Sequence, residues 1–215
     1  MSNRNRLLLV LVGLWLLLPA LPAHAQEFSL PRADVEVTVQ PDGALAVTEH
    51  LTYDFDGSFT GGYREIPLRA GESITDVSVS EGGIAYSPGG CTDLGCDSPP
   101  STFGWTDLGG RVRIVWHYAA FGEERTFDIS YNFLGLAKAA DDVVDVNLQV
   151  WGDEWGEPLD RLTATMSLPP GAAPRKCSFG DTPPRYRVTP ASGPIGYVPP
   201  WRLPTYLPVS LSRCG

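Results

Sequence analysis

Between residues 33 and 168, apolar and polar positions alternate in short runs, the period of two that marks strands buried on one face. Val35, Val37 and Val39 share one side of the first run, with Asp34, Glu36 and Thr38 on the other. Pro41-Asp42-Gly43 supplies turn chemistry, because proline presets φ, aspartate bonds its own backbone and glycine accepts positive φ. Leu45, Val47, Glu49, Leu51, Tyr53 and Phe55 then alternate again, so the two runs predict an antiparallel hairpin. An extended segment with a glycine pair, Gly61-Gly62, follows from Phe59 to Pro67.

Ile74 to Val79 and Gly83 to Tyr86 read as short strands, and 87–101 as a Gly/Pro/Cys/Asp-rich loop. Further alternating faces are Val112, Ile114 and Trp116; then Phe127, Ile129, Tyr131 and Phe133; then Val144, Val146, Leu148 and Val150; and last Leu162, Ala164, Met166 and Leu168. Only 134–140 invites a helical reading. Such a chain predicts an all-β antiparallel β-sandwich, since each strand must bury one face against a second layer. An immunoglobulin-like arrangement leads, without the Cys…Trp…Cys framework that would pin strand order.

The ends change the picture. Arg4 and Arg6, the apolar run Leu7 to Leu18 and Ala23-His24-Ala25 read as a secretory signal cleaved before Gln26. Its apolar run is short of the about 20 residues a membrane span needs. The three segments expected are a signal peptide (1–25), an extracytoplasmic β-sandwich domain (26–170) and a Pro/Arg-rich irregular tail (171–215). From 26 to 168 there are 24 Asp and Glu against 8 Lys and Arg; the last 47 residues hold one acid, six bases and 11 prolines. The acidic body excludes nucleic acid as a partner, because phosphates are held by Lys and Arg.

An oxidising compartment favours disulfides, and Cys91 and Cys96 are spaced to close a small loop. Cys177 and Cys214 lie in the tail, and four cysteines allow three pairings. No zinc site is expected: the spacing lacks two ligand pairs, and no histidine is near these cysteines in sequence. Nor is there a phosphate-cradling glycine loop between strand and helix, so no cofactor is expected.

Candidate chemistry is sparse. Past the signal, His50 and His117 are the only imidazoles, and both fit as strand residues better than as general bases; no Gly-x-Ser-x-Gly elbow occurs. Asp153 and Glu154, between Trp151 and Trp155, are the carboxylate pair most suggestive of glycoside chemistry, yet neighbours on a strand face opposite ways. Asp54 and Asp56, with Asp141, Asp142 and Asp145, are oxygen donors for calcium, but lack an EF-hand spacing. Tyr63, Arg64 and Glu65 flank the glycine pair where a binding loop could sit; the plainer reading is an arginine that orders the loop through an ion pair or backbone contact.

Several runs, taken in order, carry a resemblance. They are Pro41 to Glu49, Tyr53 to Phe59 leading to Gly62-Tyr-Arg-Glu-Ile-Pro67, Ile74 to Val79, Phe127 to Tyr131, and Trp151-Gly-Asp-Glu-Trp155. Over about 30–170 the chain is similar to the N-terminal domain of predicted membrane proteins classed as domain of unknown function 2207. The resemblance implies an exported β-rich domain followed by transmembrane helices and a cytoplasmic end, and it brings no catalytic residue. After about Pro170 the chain departs from the pattern. The tail reads either as an extended proline-rich linker or, the preferred reading, as a frame-shifted or truncated gene product.

The expected function is therefore non-enzymatic: an extracytoplasmic binding or sensing domain for an envelope component or protein, with membrane association in a full-length form. Its binding surface is placed at Tyr63, Arg64, Glu65, Trp151, Asp153, Glu154 and Trp155. The rival is a secreted carbohydrate-active or other hydrolase built on Trp151–Trp155.

Overall fold

A computed structural model describes residues 26–139, 144–151 and 157–170, together with the strand segments 176–179, 187–190 and 208–214. The described residues are all-β. The first hairpin forms as the alternation predicts: β1 (Glu27–Val39) pairs antiparallel with β2 (Leu45–Asp56), and Val37 lies opposite Val47. Its turn is held by Gly43 N–H donating to the Gln40 carbonyl (3.0 Å) and Ala44 N–H donating to Asp42 Oδ1 (3.0 Å).

Next along the chain come β3 (Ser58–Pro67), β4 (Ser73–Glu81), β5 (Ile84–Ala85), β6 (Ser87–Pro88), β7 (Thr102–Asp107), β8 (Arg111–Phe121) and β9 (Glu124–Leu134). After these are β10 (Ala137–Ala139), β11 (Val144–Gln149), β12 (Leu162–Ser167), β13 (Lys176–Phe179), β14 (Arg187–Pro190) and β15 (Pro208–Cys214). The main sheet has the order β14-β12-β1-β2-β9-β4-β5, the second β3-β8-β7-β6, and a third β10-β11-β15-β13.

The first two sheets pack face to face. The main sheet contributes Val35, Leu51, Tyr53, Phe127 and Ile129 to the core, and the second contributes Ile66, Ile114, Trp116 and Tyr118. Rings meet across the layers, with Tyr118 and Phe127 centroids 4.7 Å apart and Trp116 and Phe127 5.8 Å apart. The all-β sandwich expectation therefore holds.

Several details differ from the sequence reading. The main sheet is mixed, because β12 joins β1, and β14 joins β12, in parallel. Its strand order is also not the four-plus-three division of an immunoglobulin constant domain. The stretch given a helical reading instead ends β9 and forms β10, which pairs antiparallel with β11 at Ala137–Val146. Strand β7 falls where no alternation was read, since Gly104 interrupts its pattern. Within the tail, the described segments β13, β14 and β15 are strands. No helix among the described residues is long and apolar enough to cross a membrane.

Candidate functional site

Alternation aims Glu49 at the core: it shares a face of β2 with Val47 and Leu51 and is 1% exposed. A lone carboxylate there would be very unfavourable, so it must be paired and hydrogen-bonded. Arg64, on β3 of the facing sheet and 4% exposed, donates through Nε to Glu49 Oε2 at 3.0 Å. Tyr131 on β9 donates its hydroxyl to Glu49 Oε1 at 2.7 Å. A second Arg64 nitrogen, Nη1, donates to the Glu65 carbonyl oxygen. Burial first, then the Glu49 charge, pushes the Tyr131 hydroxyl well above the usual tyrosine range, so it stays a donor.

Above this group lies a cleft of about 190 Å³. It is lined by Phe28, Tyr53, Phe55, Phe59 and Tyr118 together with β3 from Gly61 to Glu65. The rings are mutually packed: Phe55 and Phe59 centroids are 4.8 Å apart, and Phe28 and Phe59 are edge to face at 5.9 Å. Gly62 lets β3 lie close against Trp116, since a Cβ there would lie 2.7 Å from that ring. Tyr63 is 45% exposed at the mouth. Glu65 pairs with Arg111 Nη1 at 2.8 Å and Arg113 Nη2 at 2.7 Å. Desolvation raises its pKa, but the hydrogen bonds from Arg113 and Arg111 outweigh that and leave it lowered.

The sequence-predicted residues thus separate. Tyr63, Arg64 and Glu65 are brought together at the cleft, with Arg64 in the ion pair and backbone contact that the plainer reading expects. Trp151 lies in the core, 8% exposed, while Asp153, Glu154 and Trp155 fall outside the described residues. Asp54 and Asp56 are exposed on β2, Asp145 is half-buried on β11, and Asp141 and Asp142 lie outside the described residues. His50 Nδ1 bonds Asp128 Oδ1 at 2.6 Å, and Ser80 donates to the other oxygen of Asp128 at 3.3 Å. In that row the serine contacts the acid, not the imidazole, so no activated nucleophile results.

The Cys91–Cys96 disulfide forms. Its loop crosses the outer face of the second sheet so closely that a Cβ on Gly104 would lie 2.1 Å from the Gly90 carbonyl oxygen. Folding also brings His117, distant in sequence, against it: Nε2 is 3.0 Å from the Cys91 carbonyl oxygen and 3.9 Å from Cys91 Sγ. Sequence reasoning missed Glu49 and the aromatic cleft. The signal for Glu49 was a charge in an otherwise apolar register; the signal for the cleft was the aromatic density between Phe28 and Phe59.

The fold and site define a β-sandwich domain with an aromatic cleft over a buried ion pair. The chain belongs to the family described as predicted membrane protein (DUF2207) N-terminal domain, which matches residues 29–195. The match therefore runs beyond Pro170 and takes in β14. No curated protein matches the chain by sequence. Similar solved structures include an M1 zinc metallopeptidase from Deinococcus radiodurans, at 8% identity and TM-score 0.41, covering 87% of this chain and 39% of that one. Another is a putative protease from Parabacteroides distasonis, at 14% identity and TM-score 0.39, covering 86% of this chain and 40% of that one. The chain spans about two-fifths of the length of these structures, and at these scores the likeness carries no conclusion about activity.

Proposed function

We propose that this domain acts outside the cytoplasm as a non-enzymatic binding module of a membrane protein, holding one apolar side chain of a protein partner in the aromatic cleft. The observation that carries the reading is the size and lining of the cleft. Pockets for whole small molecules run to about 300–1,000 Å³, whereas this one is about 190 Å³. An apolar cavity of about 150 Å³ is enough for benzene. The cleft therefore suits a single ring or branched side chain, the kind of anchor that dominates protein interfaces. Phe28, Phe55 and Phe59 offer no hydrogen bond, which favours an apolar anchor over a sugar.

A non-enzymatic role is supported by the engagement of the described ionisable groups near the cleft. Glu49 is committed to Arg64 and Tyr131, and Glu65 to Arg111 and Arg113. The hydrolase reading has no comparable support, since Trp151 is buried.

The test is an NMR titration with N-acetyl-phenylalaninamide. Saturable amide shifts should centre on Gly61, Gly62 and Tyr63, and Phe59→Ala should remove them while thermal unfolding stays cooperative. Shifts that do not saturate, or that spread evenly over the surface, would overturn the assignment.

A further inference from the structure

We infer that opening the Cys91–Cys96 disulfide creates a binding site for a thiophilic divalent cation, zinc by preference, made of both cysteine sulfurs and His117 Nε2. Among the described residues these three form the one cluster of metal-ligand side chains, with their ligand atoms all within 4.8 Å of one another. Tetrahedral zinc with bonds of about 2.3 Å to sulfur and about 2.05 Å to nitrogen sets the S···N edge near 3.6 Å and the S···S edge near 3.8 Å. Cys91 Sγ and His117 Nε2 already stand 3.9 Å apart. After reduction the two sulfurs need only move apart, and the Cα–Cα distance of 6.4 Å leaves room for that by side-chain rotation.

The surroundings fit a cation. Ser98 Oγ donates to Cys91 Sγ at 3.2 Å, a contact that favours negative charge on that sulfur. The loop 89–101 carries Asp93 and Asp97 and no Lys or Arg. His117 is 4% exposed on β8, so one ligand is held rigidly by the sheet while the other two ride on the loop. Three protein ligands leave a fourth position for water, as in open zinc sites.

The chemistry balances with a dithiol as reductant. The disulfide accepts two electrons and two protons and becomes two thiols, while the dithiol becomes a disulfide. Metal binding then releases one proton from each thiol. In the closed form His117 Nε2 donates to the Cys91 carbonyl, which can only accept. Ligation uses the Nε2 lone pair, so the ring proton moves to Nδ1. The loop is thus a two-state element: closed and metal-free when oxidised, metal-binding when reduced.

The site is independent of the aromatic cleft reading and is tested separately. Mature protein carrying Cys177→Ser and Cys214→Ser is reduced with a phosphine and titrated with Co²⁺ and then Zn²⁺. One equivalent of Co²⁺ should give the absorption bands of tetrahedral thiolate coordination, Zn²⁺ should displace it, and the oxidised protein should show neither. His117→Gln should weaken binding by at least about tenfold, no less than the loss typical for outer-shell partners. Should that buried substitution unfold the domain, histidine ring NMR signals decide instead: on Zn²⁺ addition those of His117 shift and those of His50 do not. Absence of one-to-one binding by the reduced protein, undiminished affinity in folded His117→Gln, or an unmoved His117 ring would each sink the inference.

Discussion

Glu49 occupies a register position that its neighbours Val47 and Leu51 fill with apolar side chains, and it is tolerated because Arg64 and Tyr131 satisfy its carboxylate from two other strands. Arg64 reaches it from the facing sheet, so the pair fixes how the two layers sit as well as cancelling charge. Breaking one side leaves a buried charge, which typically costs about 3–5 kcal/mol. Arg64→Met should therefore destabilise the domain by about that amount in urea unfolding. Replacing the whole group by Glu49→Leu, Arg64→Met and Tyr131→Phe should recover most of the loss, because apolar residues of similar volume are often neutral or better. If the triple variant is as unstable as the single one, packing around Arg64 and not its charge is what matters there.

At the scale of elements, strands with strict alternation were legible: β1, β2, β8, β9, β11 and β12 all occur where the pattern places them, with the apolar sides of the first hairpin facing inward. What escaped were elements whose signal is not periodic. Strand β7 carries Gly104 because the disulfide loop crosses it, and the parallel seat of β12 beside β1 depends on partners far apart in sequence. The cleft escaped for the same reason, since Phe28, Phe59 and Tyr118 come from three strands. Cross-strand ion pairs are likewise visible only after folding. Glu65 on β3 meets Arg111 and Arg113 on β8, and Glu81 on β4 takes Nε of Arg125 on β9 at 2.5 Å. Burial raises the Glu81 pKa, but the hydrogen bonds from Arg125 and Tyr86 exceed it, so Glu81, like Glu65, titrates below its ordinary range. A carboxylate depressed in this way stabilises the fold above its unfolded pKa, about 4.3, and loses that contribution as pH falls through the folded value. Urea midpoints should thus hold from pH 7 to about 5 and fall below about 4.3, with a smaller fall in the Glu65→Gln and Glu81→Gln double variant. An equal fall in that variant would assign the acid sensitivity to other carboxylates.

For the whole molecule, the way the sandwich is held relative to a membrane decides what can reach the cleft. The signal-type pattern places a cut after Ala25, and the first strand begins at Glu27. Gln26 is already part of the folded edge, its Nε2 donating to the Ser58 carbonyl at 2.6 Å. A cut at that bond would therefore leave Gln26 and the first strand whole. Phe28, a wall of the cleft, is three residues beyond Ala25. An extended chain spans at most about 3.5 Å per residue. Left uncut, the apolar run, which ends at Leu18 ten residues before Phe28, would tether the cleft within roughly 35 Å of that end. Cleavage would instead free the cleft to meet the soluble or envelope-bound partners proposed above. Expressed from Met1 in a bacterial host, the protein should be recovered beginning at Gln26, as read by intact mass and N-terminal sequencing. Ala25→Pro, which alters the residue at the cut, should leave the first 25 residues attached and shift the protein to the membrane fraction. Recovery of the unaltered chain at full mass in that fraction would show the apolar segment to be an anchor, and the cleft would then belong to a domain tethered to the membrane.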